Sequence, residues 1–252
     1  MGPLDLFVLV ATLFYVVVGW IIGVRLLRLA RRTHGFPELV LGLGECLLAG
    51  AVPPCFVILQ VVPGPEALVR GAAFGGHLAY TLGCAVMVLF TWRVFRPEER
   101  WARALGLAMI GTLLVAGCFG MARAFLVPTL AELRVPQTPA FLLMEWISVL
   151  GFVWTAAEAF RHYGRMRKQA AFGLADPVIV NRILLWGLVG VGGVLAAGAP
   201  VVAGLLGASS AEHVPTRLVC AVGTLASSVC IQLAFLPPQG YLRWVRSAAR
   251  AT

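Results

Sequence analysis

The residues best placed to do chemistry in this chain are polar side chains set inside long apolar runs. Towards one end of those runs stand Gln60, His77, Tyr80, Arg123, Glu145 and Trp146; towards the other stand Glu45, Glu158, Asn181 and Gln232. An ionisable side chain costs free energy in a hydrocarbon environment, so each one present needs a partner or a purpose. Glu145 and Glu158 share one apolar run. On a helix their positions point about 140° apart and are separated by nearly 20 Å along the axis, at about 100° and about 1.5 Å per residue. A two-carboxylate hydrolytic site on that segment is therefore excluded.

Depth along the helices suggests which groups meet. Arg123 lies a few residues before the end of one apolar run and Glu145 a few residues after the start of the next. Both fall roughly 5–10 Å below the same boundary, with His77 at similar or slightly greater depth. Two readings follow. In one, Arg123 and Glu145 form an interhelical pair that fixes packing and offsets the cost of burial. In the other, they form the polar base of an outward-facing ligand pocket with His77, walled by Tyr80 and Trp146. Glu45 is an intramembrane acid about 10 Å from the opposite boundary. A low dielectric favours its neutral form; alternatively Arg25 pairs with it, or it is a proton or cation site. Glu158 precedes Arg161 and His162 by three and four positions, the spacing of a local helical pair.

Absences narrow the chemistry. The sole lysine is Lys168, in a polar connector, so no helix offers a Schiff-base lysine for retinal. The histidines are His34, His77, His162 and His213, too scattered for the axial pairs of a haem protein or the ligand set of a zinc hydrolase. There is no phosphate-binding glycine loop, HExxH or GxSxG. No metal or cofactor is expected, and no enzymatic constellation is recognisable. The six cysteines all fall within apolar runs, none in a CxxC pair, and read as small buried hydrophobes.

The elements that must position these groups are membrane spans. Sixty per cent of the 252 residues are hydrophobic and 12% charged, against about a quarter charged in a soluble domain. Apolar runs long enough to cross a hydrocarbon core of about 30 Å occur at about 4–29, 38–62, 69–95, 101–125, 140–164, 177–206 and 216–236. The expected fold is a single all-α transmembrane domain over 1–252, a seven-helix bundle. The first run has no basic residues before it and ends in arginines, so it is expected to stay as a span and not to be a cleaved signal.

Charge sets the expected orientation. Arg25, Arg28, Arg31 and Arg32 follow span 1. Arg93, Arg96, Arg100 and Arg103 flank the next basic connector. Arg161, Arg165, Arg167, Lys168 and Arg182 flank the third, and Arg243, Arg246 and Arg250 follow span 7. Only Arg70, Arg134 and Arg217 fall at the opposite ends, with Arg123 near them. Seven spans with the N-terminus outside and the C-terminus cytoplasmic satisfy the positive-inside rule at every connector. The net charge of +9 then reflects topology and attraction to anionic lipid, not nucleic-acid binding. Pro53-Pro54 is expected to kink span 2. Gly187, Gly190, Gly192, Gly193 and Gly198, followed by Pro200, make span 6 a close-packing helix, a hinge or a dimer face. The Pro-Gln pairs at 136–137 and 238–239 do not read as the paired motif of Pro-Gln-loop transporters.

Two stretches carry a resemblance. Arg31-Arg32-Thr33-His34-Gly35-Phe36-Pro37-Glu38-Leu39, at the junction of spans 1 and 2, is one. The other is Phe235-Leu236-Pro237-Pro238-Gln239-Gly240-Tyr241-Leu242-Arg243-Trp244, after span 7. Together with the topology they resemble largely uncharacterised bacterial seven-helix integral membrane proteins, similar to transmembrane modules found ahead of histidine-kinase-type signalling domains. This sequence departs from the sensor version in ending at Thr252, shortly after span 7, with no output domain. The resemblance implies a multi-pass protein of a bacterial inner membrane.

The leading expectation is a receptor-like sensory or regulatory module. It binds a small or lipidic ligand in an outward-facing pocket near His77, Tyr80, Arg123, Glu145 and Trp146. Its basic inner connectors and the 241–246 tail meet a cytoplasmic signalling partner. The alternatives are a small transporter or channel that uses Glu45 and the glycine-rich span 6, and a structural or assembly partner of another membrane protein.

Overall fold

The computed structural model describes residues 2–61, 64–134, 138–207 and 213–250. Pro63, the 136–137 pair and most of the expected turn at 209–215 lie outside the described residues. Among those described, every regular element is helical. In chain order they are α1 (Pro3–Thr33), α2 (Phe36–Glu45), a π-helical segment (Cys46–Ala51), α3 (Val52–Val61), α4 (Glu66–Phe95) and α5 (Arg100–Leu126). There follow α6 (Leu130–Leu133), α7 (Pro139–Ala171), α8 (Pro177–Leu205), α9 (Val214–Phe235) and α10 (Gln239–Arg250).

Seven of these units are long and apolar enough to cross a bilayer: α1, the continuous α2–π–α3 unit, α4, α5, α7, α8 and α9. The chain has the architecture of a multi-pass membrane protein. Local sequence explains the starts and stops. Proline stands in the first turn of α1, α2, α7, α8 and α9, where its missing N–H costs nothing. Thr138 and Asp176 cap α7 and α8 by accepting from the amides of Phe141 and Val178. Gly173 and Gly207 leave α7 and α8 in the left-handed region, which glycine enters without strain. α7 continues to Ala171, beyond the expected end near 164, because Arg165–Ala171 is a run of good helix formers after the chain leaves the apolar zone.

Six of the seven spans form a closed ring. α1 packs on α2, the second span on α4, α4 on α7, α7 on α8, α8 on α9, and α9 back on α1. α5 stands outside the ring against α4 and α7. Glycines set these approaches. A Cβ on Gly117 or Gly120 would collide with Thr81 or His77 across the α4–α5 contact. Gly187, Gly190 and Gly193 lie against Phe160, Ala156 and Phe152 of α7, and Gly192 lies against Ser227 and Gly223 of α9. The glycines of α8 thus serve close packing inside the bundle.

The basic clusters collect at one end of the bundle, here termed the basic end. There the interior of the ring is filled by a core that includes Ile22, Leu26, Val40, Leu41, Phe90, Ala159, Trp186 and Ile231. Two further cores lie elsewhere. One packs α5 against α4 and α7 around Leu113 and Met144; the other joins Leu59, Val69, Ala124 and Leu133 at the opposite end. α10 returns along the basic end and is tied to α8 by a 2.7 Å bond from the Asn181 amide to the Tyr241 hydroxyl.

Candidate functional site: a central acidic cavity

The two helices facing each other across the ring each contain proline, Pro53-Pro54 in the second span and Pro200 in α8. Pro53 and Pro54 have no amide N–H, so carbonyls in the preceding turn lose their donors. The chain responds by widening into the π-helical segment at Cys46–Ala51. The indole N–H of Trp20 on α1 then donates to the Gly50 carbonyl at 3.2 Å. Glycine is required there, since a Cβ would lie 2.9 Å from the Trp20 ring. In α8, Pro200 frees the carbonyl of Ala196 one turn earlier. The Cys220 thiol of α9 donates to it at 3.3 Å. In both cases a neighbouring helix supplies what proline removes, as buried backbone in a membrane demands.

Between these helices lies a cavity of about 280 Å³, close to the lower end of the size range of small-ligand sites. All six ring spans line it and α5 does not. α1 contributes Thr12 and Tyr15, and the second span contributes Glu45, Leu48, Val52 and Pro53. α4 contributes Tyr80 and Met87; α7 contributes Glu145 and Phe152. α8 adds Val189, Gly193, Ala196 and Ala197, and α9 adds Thr224, Ser227 and Ile231. The apolar core fills the ring on the basic side, and among the described residues no core cluster fills it on the other.

The two acids reach this cavity from opposite boundaries. Glu45 enters by way of α2, which begins at Phe36 at the basic end, and Glu145 by way of α7, which begins at Pro139 at the other end. At about 1.5 Å per residue these are depths of about 14 and 9 Å. Glu145 is buried, with a relative exposure of 6%. Neither acid has an ion-pair partner among the described residues. Tyr15 lies beside Glu45, and Tyr80 beside Glu145. The Tyr80 hydroxyl is buried and lacks a hydrogen bond of good geometry among the described residues.

Comparison with known protein families, characterised proteins and solved structures gives no match. The chemistry of the cavity therefore carries the functional reading.

Of the expected site residues, the structure joins Tyr80, Glu145 and Glu45 at one place and separates the others from them. The Arg123–Glu145 pair is not formed. Arg123 turns to the end of the bundle, where it donates to the Glu132 carbonyl at 2.9 Å. Equal depth did not make them neighbours, because Glu145 faces the ring interior while α5 lies outside the ring. His77 packs into the α4–α5 contact, its Nδ1 2.8 Å from the Ala73 carbonyl and its ring against Phe56 and Phe141. Trp146, next in the chain to Glu145, projects outward and is 44% exposed; it is no wall of the cavity. Arg25 makes no pair with Glu45. Gln60 donates at 3.4 Å to the Arg134 carbonyl at the bundle surface. Glu158 is paired, but chiefly across helices: Arg96, at the end of α4, donates to it at 3.0 Å and Arg161 at 3.4 Å.

Sequence reasoning missed Thr12, Tyr15, Thr224 and Ser227. One signal was present: each is a polar residue well inside an apolar run. Their hydroxyl groups cost little enough in a span to pass for ordinary helix content.

Proposed function

We propose that this chain is a small membrane carrier whose solute site is the central cavity, with Glu45 and Glu145 as its functional acids. One observation carries the reading. Two acids entering from opposite boundaries face one mid-membrane cavity, lined by a span with a π-helical segment before Pro53-Pro54 and by α8, which carries Pro200. Solute and coupling-ion sites of carriers lie near the midplane, beside interrupted helices that can rearrange around them. The π-helical segment before Pro53-Pro54 and the turn at Pro200 are the hinge points in this proposal. The positive-inside rule then puts the basic end in the cytoplasm, with the cavity reached from the outer side. A bacterial inner membrane is the proposed location.

The test is two-sided access. In a cysteine-free background carrying Thr224→Cys, a membrane-impermeant thiol reagent should label from the outer side. In a carrier, a fraction should also become reactive from the cytoplasmic side. Labelling confined to the outer side under every condition would leave the carrier reading without support.

A receptor-like reading has its own observation in favour. The apolar core seals the ring at the basic end, and α10 is bonded to α8 beside it. A ligand that shifts α8 would move a cytoplasmic helix, in keeping with the resemblance to modules that precede signalling domains. One-sided labelling together with displacement of α10 on ligand binding would favour it.

A further inference from the structure

We infer that the cavity is a site for a small organic amine: an ammonium group held at Glu145, with Glu45 as the second acid, and an apolar body lying among the hydrophobic walls. This inference rests on the cavity being the solute site and specifies its ligand class.

The walls of the cavity hold few free protons. Thr12, Thr224 and Ser227 each have one hydroxyl hydrogen. Each donates it to a backbone carbonyl: Thr12 to Val8 at 2.8 Å, Thr224 to Cys220 at 2.9 Å and Ser227 to Val189 at 3.3 Å. Towards the cavity these groups present lone pairs alone. The two carboxyls are acceptors when ionised. The Tyr15 and Tyr80 hydroxyls are the remaining hydroxyl protons, Tyr15 near Glu45 and Tyr80 beside Glu145. No Lys, Arg or His is among the described residues lining the cavity. A wall of acceptors matches a ligand that brings its own donors and positive charge.

Two further observations point from an acidic cavity to an organic amine. Glu145 is more than nine-tenths buried, has no ion-pair partner among the described residues and faces the cavity. A buried carboxyl without a protein counter-charge is kept ionised only when a ligand supplies the opposite charge. The remaining wall is apolar and aromatic, with Phe152, Met87 and Val52 beside the two tyrosines. Such a surface takes a hydrocarbon body and lets ring faces lie against an ammonium. No group of three or more metal-ligating side chains occurs among the described residues, so the donor set does not favour a bound metal ion.

The experiment is binding to the full chain, purified in detergent, followed by calorimetry and by the shift of thermal unfolding. The probes are phenethylamine, its neutral isostere 2-phenylethanol and the acid phenylacetate. The amine is expected to bind and raise the unfolding temperature, with the alcohol at least tenfold weaker and phenylacetate inert. Glu145→Gln should weaken the amine at least tenfold and leave alcohol binding unchanged; Glu45→Gln should weaken the amine by a smaller factor. If Glu145→Gln does not yield folded protein, Thr224→Val, which removes an acceptor with little change of shape, should weaken the amine several-fold. Equal affinity for amine and alcohol would overturn the inference, as would full amine affinity in Glu145→Gln. So would failure of the amine to bind at all. The carrier reading fails separately: amine binding that depends on Glu145, combined with one-sided labelling of Thr224→Cys, would retain the amine site and remove the carrier.

Discussion

Glu145 and Glu158 stand on the same helix, both buried, at 6% and 2% relative exposure. Glu158 receives guanidinium groups from Arg96 and Arg161. Glu145 receives none and looks into a cavity. The same side chain therefore does two different jobs. At the basic end, charge fastens α7 to α4, and the apolar core beside it closes the ring. In the middle of the bundle, a carboxyl is left without an ion-pair partner among the described residues and the ring is left unfilled. One half of the molecule is closed by a paired acid and an apolar core, and the other holds an unpaired acid facing a cavity.

The sharpest way to break this contrast is at Glu158. Glu158→Leu removes the nearer carboxylate of Arg96 and leaves it only the exposed Glu99 at 3.9 Å. Losing one partner of a buried pair costs about 3–5 kcal/mol. The partial exposure of Arg96 places the expected loss near the lower figure, as a drop in the thermal midpoint in detergent. The double change Arg96→Leu with Glu158→Leu should recover much of that loss, because it removes both charges together. A single variant as stable as the parent would show that the pair is not a fastener.

Gly193→Ala comes next. Its Cβ would meet the Phe152 ring at 2.5 Å, and overpacking of this kind costs about 1–3 kcal/mol. Displacing Phe152 also narrows the cavity, so amine binding should weaken along with stability. Thr155→Val removes one hydroxyl of the 2.6 Å Thr91–Thr155 contact that joins α4 to α7 between the two acids. A loss of about 1 kcal/mol is expected, with binding unchanged, as read by unfolding and calorimetry on the same sample.

The smallest stability effect belongs to Glu145→Gln. No ion pair is lost, so the midpoint should move by less than about 1 kcal/mol while amine binding falls. A destabilisation as large as that of Glu158→Leu would mean that Glu145 is structural after all, and the comparison would collapse.

Much of the framework was legible in the residue order, and particular residues show where legibility stopped. Arg161, one helical turn after Glu158, was found as a local partner because helical spacing is a property of sequence. Arg96, the closer partner, was not, because it lies far away in the chain, at the end of another helix whose rotation no spacing reveals. Depth could be counted for Arg123 and Glu145, but depth is one coordinate of three, and the missing azimuth put them on different sides of α7. Glu45 and Glu145 were assigned to opposite halves by counting from opposite boundaries; their shared cavity depends on both pointing inward.

By itself, the sequence determined the number of spans, the proline-induced irregularity in the second of them, the basic end, and the absence of a lysine or histidine set for common membrane cofactors. These follow from length, hydropathy and covalent geometry, which act locally along the chain. The closed ring of six, the exclusion of α5, the pairing of Glu158 with Arg96 and the acceptor-lined cavity were decided only by tertiary structure. Each depends on how far one helix is rotated against another. That rotation is set by many small contacts, such as Gly120 against His77 and Gly193 against Phe152, summed over surfaces distant in sequence.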